Sequence, residues 1–259
     1  MSGSIAANPA WSAALGVLCG VVGFRIGWRT RSRIGLPLVQ AALGGVAFVA
    51  AWSAAGPDAA TLAVLGWSLG SSAVAIPTFR ADPVATDARV VRAVPYRAEM
   101  RAWLATGRGP EATPARTTAR HAAELAAYIV AGVASMNLLS IAMGAVLLNY
   151  MNAWVASLLR AARRPWTVRL FAWNVWSVVR VAAYVAIGVA SAWPLATRTR
   201  FAVPWSAVRP LAVAGAIGVV LDLVLKLALS RPCGRALAAA VDLDAVPSGP
   251  AIGDEEHAP

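Results

Sequence analysis

The sequence predicts an all-α fold, a polytopic bundle of transmembrane helices, on three observations. Its 259 residues are 59% hydrophobic and only 14% charged, where a soluble domain of this size carries about 25% charged residues. Apolar runs of crossing length recur along the chain. Arginine clusters alternate with arginine-poor turns between those runs, the asymmetry that orients helices in a membrane.

A crossing needs ~20 mostly apolar residues, and residues 9–27, 35–56, 59–79, 170–196 and 208–230 meet that condition. No basic residue precedes the first run in "MSGSIAANPAWSAALG", so it is expected to be a retained span rather than a cleaved signal peptide. "RIGWRTRSR" follows it and belongs in the cytoplasm, which places the N-terminus outside. "AAGPD" joins the second and third runs without a basic residue, as an external turn should, and the arginine-rich residues 80–120 return to the cytoplasm.

Residues 121–162 carry no charge between Glu124 and Arg160. As one helix they would extend ~63 Å, about twice the hydrocarbon thickness. Arginine clusters flank the segment on both sides, so it is expected to cross twice as a hairpin, turning in "SMNLLS" or in "NYMN". Residues 170–196 then run outward and 208–230 return. The expectation is seven spans, N-terminus out and C-terminus in, with six spans and one very long fourth helix as the alternative.

Arg198, Arg200 and Arg209 on the last external loop run against the charge rule. Trp11, Trp52, Trp193 and Trp205 fall at outer edges, and Trp28 and Trp166 at inner ones, as an interfacial belt requires. The chain is thus divided into three helices (1–79), a basic cytoplasmic loop (80–120), a hairpin with two further spans (121–232), and an acidic tail (233–259). The tail is expected to be disordered or to fold back on the basic loop. A multi-pass protein of a bacterial cytoplasmic membrane is the expected setting.

"GVLCG" and "GFRIG" in the first span and "GWSLG" in the third permit close helix approach. Pro37, Pro77, Pro194 and Pro210 lie near span ends, so broken central helices of the secondary-transporter kind are not signalled.

Ionisable groups inside spans are costly and mark candidate sites. Measured from the nearest cytoplasmic anchor, their depths are ~6 Å for Arg25 and Glu124, ~8 Å for Lys226, ~13 Å for Asp222 and ~16 Å for Arg180. Arg25 and Lys226 are expected to snorkel to the interface, and Glu124 to sit against a helix N-terminus. Arg180 and Asp222, deep and opposite in charge on consecutive antiparallel spans, are expected to pair.

Trp173, Trp176, Ser177, Arg180 and Tyr184 follow a helical period and are expected to share one face lining a polar cavity. The competing expectation for this stripe is plain core packing. Asn137, Asn149 and Asn152 add polar groups that need partners within the bundle or in turn backbone.

The spacing of Asp222 and Lys226 on a last span entering from outside is similar to the counterion and Schiff-base lysine of the microbial rhodopsins. That resemblance implies bound retinal. It covers one helix only, and the third span, "DAATLAVLGWSLGSSAVAIPTF", has no mid-membrane carboxylate for a second counterion. The reading kept is one without a cofactor.

In the basic loop, Arg89, Arg92, Tyr96, Met100, Trp103 and Leu104 compose an amphipathic face interrupted by Pro95. Arg89, Arg92, Arg97 and Arg101 are expected to meet anionic lipid headgroups, each worth ~1 kcal/mol; a soluble or membrane protein partner is the alternative. Nucleic acid is not expected, because the membrane competes for the same arginines. Two histidines, His121 and His257, and two distant cysteines, Cys19 and Cys233, compose no metal-ligand spacing, and no catalytic constellation stands out. These features favour a small transporter or permease-like bundle with a polar path past Arg180 and Asp222. A non-catalytic scaffold or regulator holding a partner through residues 80–120 is the second reading.

Overall fold

The computed structural model describes residues 8–109 and 114–246, and among them the fold is helical throughout, with one isolated β-bridge between Ala162 and Val241. The helices are α1 (Pro9–Arg29), α2 (Gly35–Ala81), α3 (Pro83–Arg89), α4 (Ala93–Thr106) and α5 (Pro114–Ser135), then α6 (Leu138–Arg160), α7 (Pro165–Phe171), α8 (Val175–Ser191), α9 (Trp193–Ala196) and α10 (Trp205–Ala240). Five helical runs among the described residues are long and apolar enough to cross a membrane: Pro9–Arg29, Gly35–Ala81, Leu138–Arg160, Pro165–Ala196 and Trp205–Ala240. α5 stays outside that set, and its early turns are polar, with Thr118, Arg120, His121 and Glu124.

α2 is two arms. Gly56 takes φ 82° and ψ −163°, a region open only to glycine, and Pro57 follows where a missing N–H costs little. Trp67 Nε1 donates to the Gln40 carbonyl at 3.0 Å, although 27 residues of straight helix would separate them by ~40 Å. The chain therefore reverses at Gly56. α1 packs on both arms through the glycine pairs. A Cβ on Gly16 or Gly20 would fall on the carbonyl oxygen of Ala63 or Trp67, and one on Gly66 or Gly70 on that of Ala13 or Val17.

These contacts also give the helix directions. Gly16 and Gly20 meet Ala63 and Trp67 in ascending order, so α1 and the second arm are parallel; Gly23 meets Gln40 and Gly27 meets Leu36, so the first arm is antiparallel. Met136 and Asn137, both at positive φ, turn the chain between α5 and α6 inside "SMNLLS", and the Asn137 N–H donates to the Gly132 carbonyl at 2.9 Å. Asparagine tolerates this left-handed backbone better than most residues. α6 descends along the first arm, with Leu138 near Gly45 and Asn149 bonded to Gln40. α8 lies parallel to α5, Gly188 against Tyr128 and Gly132 against Ser191, and α10 is antiparallel to α8, Gly215 against Ile187. Each successive long segment reverses the one before.

At one pole, beside the Gly56 turn, Trp52 Nε1 donates to Phe201 O and Trp193 Nε1 to Val203 O, each at 3.0 Å, and the Trp193 and Trp205 rings stand 5.1 Å apart. Most of the arginines gather at the opposite pole. There α4 docks under the bundle, burying Met100, Trp103 and Leu104 with Trp154 and Leu158 of α6, Trp176 of α8 and Leu237 of α10.

Three expectations are corrected at this pole. Pro95 does not interrupt the basic face, because it lies in the first turn of α4, where proline is tolerated. The apolar side of α4 faces protein. α8 itself begins at Val175, after a break between Phe171 and Val175, but the apolar run Pro165–Ala196 contains the expected span 170–196. Residues 233–246, expected within a disordered tail, instead continue α10 to Ala240 and then strap the pole. The N–H groups of Arg163 and Arg164 donate to Ala240 O at 2.8 and 2.9 Å, Asp242 pairs with Arg163 at 3.1 Å, and Arg101 Nε donates to Leu243 O at 2.9 Å. The remainder of the acidic tail, from residue 247, lies outside the described residues.

The loop arginines are bound within the chain. Arg97 makes a two-point bond to Asp87, both contacts 2.7 Å, and Arg89 stacks 4.5 Å over Trp28. Arg92 stands 6.0 Å from the Tyr150 ring.

Candidate functional site

α5, α6, α8 and α10 border a partly open cavity of about 580 Å³, flanked on one side by Val64 and Trp67 of the second arm of α2 and on the arginine side by α4. Its size is that of a small-molecule site. Helical spacing builds each wall. Arg120, His121, Glu124 and Tyr128 line up on one face of α5, and Arg180, Val181, Tyr184 and Val185 on one face of α8. Ile141, Gly144, Leu148 and Met151 of α6 supply an apolar wall, and Tyr96, Glu99 and Met100 of α4 the floor, with Arg108 and Gly109 beside them. Lys226 enters from α10.

Charges concentrate on one side of this space. Arg180 Nε stands 2.9 Å from Asp222 Oδ2 and its Nη2 3.0 Å from Oδ1, a two-point ion pair linking α8 to α10. The Asp222 side chain is 8% exposed and that of Arg180 16%. Arg120 Nε donates to Glu124 Oε1 at 3.0 Å and its Nη1 to Glu99 Oε2 at 3.3 Å, tying α5 to α4. The lining holds the cations Arg108, Arg120, Arg180 and Lys226 against the carboxylates Glu99 and Glu124; cations remain in excess with Asp222 counted. Tyr128 and Tyr184 pack their rings 5.3 Å apart, and Tyr96 and Tyr150 theirs 4.5 Å apart.

Of the residues singled out from sequence, Arg180, Tyr184, Lys226 and Glu124 meet in this cavity, and Asp222 stands behind Arg180. Lys226 does not snorkel to the interface: the residue is 4% exposed and faces the cavity one turn from Asp222. Glu124 is bound by Arg120.

The expected aromatic stripe divides. Trp173 lies outside α8, in the joint before it. Trp176 is fully buried in the core beneath the cavity, and Ser177 is buried without lining it. Asn149 Nδ2 donates to Gln40 Oε1 at 2.6 Å and Asn152 Nδ2 to Ser72 Oγ at 3.2 Å; their partners are neighbouring helices rather than turn backbone. Both oxygens of Asp222 accept from Arg180, and Lys226 lies one turn further along α10.

Arg120, His121 and Tyr128 were not anticipated, although "RHAAELAAY" carries their shared face at helical spacing. Glu99 and Arg108 had no local signal, because only the docking of α4 brings them to the cavity. Comparisons with protein-family models, with curated proteins and with solved structures return no match.

Proposed function

We propose that this chain is an integral membrane protein of seven crossings, N-terminus outside and C-terminus in the cytoplasm, whose cavity binds a partly apolar organic anion for passage across the membrane. The alternating helix directions, with the chain reversing at Gly56 and at Met136–Asn137, support the span count, and the arginine-rich pole supports the orientation. One observation carries the ligand reading: a cavity of about 580 Å³ within the bundle whose lining joins apolar α6 side chains to Arg120, Arg180 and Lys226. Buried charge on this scale is retained at sites where it acts on a ligand. The ion pairs Arg180–Asp222 and Arg120–Glu99 join different helices, so a competing anion has bonds to exchange with and helices to release.

A partner-docking role for residues 80–120 has less support, since the apolar side of α4 and Arg97 and Arg101 are already engaged within the chain. The test is uptake of labelled aromatic and aliphatic carboxylates and phosphates into proteoliposomes. Flux of at least one of them above protein-free vesicles, lost in Lys226→Met and Arg120→Gln, is expected. Flux absent for every anion, or unchanged in both variants, contradicts passage through this cavity.

A further inference from the structure

The helix faces that line the charged cavity continue beyond it toward the Trp193 pole. On α5, Arg120, Glu124 and Tyr128 are followed in the same i, i+4 row by Gly132. On α8, Arg180 and Tyr184 are followed by Gly188 and, three residues later, by Ser191. Rows of this spacing stay on one side of a helix. Along both rows charge gives way to tyrosine, and tyrosine to small residues. Ser191 stands two residues before Trp193, so this seam runs to the pole opposite the arginines.

Glycine leaves room for polar groups along the seam. A Cβ on Gly188 would press on Asn137 Oδ1 and the Tyr128 hydroxyl, and one on Gly132 on the hydroxyls of Ser191 and Ser140. Ser140 Oγ donates to the Tyr128 carbonyl at 2.7 Å and Ser191 Oγ to the Gly188 carbonyl at 2.8 Å, which leaves both hydroxyl oxygens as acceptors. Asn137 differs. It is fully buried, yet neither its Nδ2 nor its Oδ1 has a hydrogen-bond partner among the described residues. A buried amide in that condition is costly and is accounted for by water, a ligand or a functional role. Tyr128 joins the two regions: it lines the charged cavity, and its hydroxyl stands with Asn137 over Gly188.

We infer that this seam is the outer half of the solute's route, and that Asn137 is the solute's second contact, reached once it passes Tyr128 and Tyr184. This rests on the reading of the cavity as an anion site for passage across the membrane, and it adds the residues on the far side. The station suits a carboxylate or phosphate in transit: Asn137 Nδ2 donates to an anionic oxygen, and Oδ1 accepts from water or a hydroxyl carried with it. Gly132, Asn137, Ser140, Gly188 and Ser191 are all neutral. An anion is therefore held more weakly here than among Arg120, Arg180 and Lys226, and weak holding is what release requires. The Tyr128 and Tyr184 rings, 5.3 Å apart, stand between the two stations.

The test uses the full chain in membrane vesicles, with Cys19 and Cys233 replaced by alanine and a single cysteine introduced by Ser140→Cys or Val130→Cys. Ser140 is fully buried, whereas Val130 is 67% exposed on α5 at a similar level and meets lipid in a spanning protein. The anionic reagent 2-sulfonatoethyl methanethiosulfonate is added at the Trp193 side. Ser140→Cys is expected to react at least roughly tenfold faster than Val130→Cys, because hydrocarbon excludes the charged reagent from position 130. Asn137→Leu and Gly188→Ala put apolar atoms into the seam, and each should slow labelling of Ser140→Cys by roughly tenfold through dewetting. The thermal transition shows that both variants are folded, and its shift with phenyl phosphate reads the charged cavity separately and should be unchanged in them.

Labelling of Ser140→Cys no faster than that of Val130→Cys, or unchanged in both apolar variants, overturns the outer route, while a phenyl phosphate shift leaves the anion site standing. Fast labelling that both variants slow, without a phenyl phosphate shift in the wild type, upholds the route and removes the anion reading of the charged cavity.

Discussion

Where α1 meets the two arms of α2, the helices touch backbone to backbone; where α5 meets α8 and α10, long charged and aromatic side chains hold a space between them. Both regions are built from alanine-rich helices. The difference lies in what stands at the contacts. Glycines at positions 16, 20, 66 and 70 bring main chains together, and the polar groups beside them are neutral amides and hydroxyls bonded across helices, such as Gln40 with Asn149. In the other region the polar groups are arginines, a lysine and carboxylates around an open volume. Neutral pairs at close approach suit a rigid scaffold, and charges around a space suit a site.

The largest effect is expected at the ion pair. Removing one partner of a buried pair strands the other, at a cost of about 3–5 kcal/mol, so Arg180→Met or Asp222→Leu alone should lower the thermal midpoint of the purified protein sharply. The double variant should recover most of the loss. Equal and additive losses would show that the two side chains do not act as a pair.

In the scaffold region, Gly20→Ala places a methyl on the Trp67 carbonyl and forces helices apart, at about 1–3 kcal/mol. Gly144→Ala, whose added methyl meets open space in the cavity wall, should be near neutral. Similar losses at both would erase the distinction between tight and open regions. A smaller effect is expected for Asn149→Leu. Interhelical side-chain hydrogen bonds in membranes are worth about 0.6 kcal/mol on average, and a midpoint change well beyond that would mean that the amide network does more than join helices.

The smallest effect concerns the strap at the arginine pole. Hydrogen bonding from Arg163, then from the Asp244 backbone, lowers the pKa of the exposed Asp242 carboxyl. A lowered folded-state pKa means that the stabilisation is complete above the ordinary aspartate range and is lost as pH falls through the lowered value. Asp242→Asn should lower the thermal midpoint slightly at neutral pH and leave it unchanged below the lowered pKa, so that the acid dependence flattens.

The helix-bundle class was legible in the sequence because hydropathy sets it, and a reversal within 121–162 because arginine clusters flank it on both sides. Gly56 with Pro57 marked the reversal inside α2 for the same reason. The choice of "SMNLLS" over "NYMN" came only from the backbone at Met136 and Asn137. The pairing partners Arg180 and Asp222 followed from depth and sign of charge. Lys226 was misjudged because depth alone does not say whether a side chain finds the interface or an internal space. The expected α8 stripe is too long at its start, because the chain breaks between Phe171 and Val175, with extended backbone at Asn174. Glu99 and Arg108 were beyond reach, since they approach the cavity only through the packing of α4, and that packing depends on residues as remote as Trp154 and Leu237.

The central claim, that a cation-walled cavity inside the bundle is open to anionic solutes while the α1–α2 interface is sealed, is tested most directly by cysteine labelling in membrane vesicles. With Cys19 and Cys233 replaced by alanine, Gly144→Cys is placed in the cavity wall and Ala47→Cys in the fully buried α1–α2 core. An anionic methanethiosulfonate should label position 144 faster than a cationic one does, and leave position 47 unmodified. Equal resistance at the two positions, or faster labelling of position 144 by the cationic reagent, would contradict it.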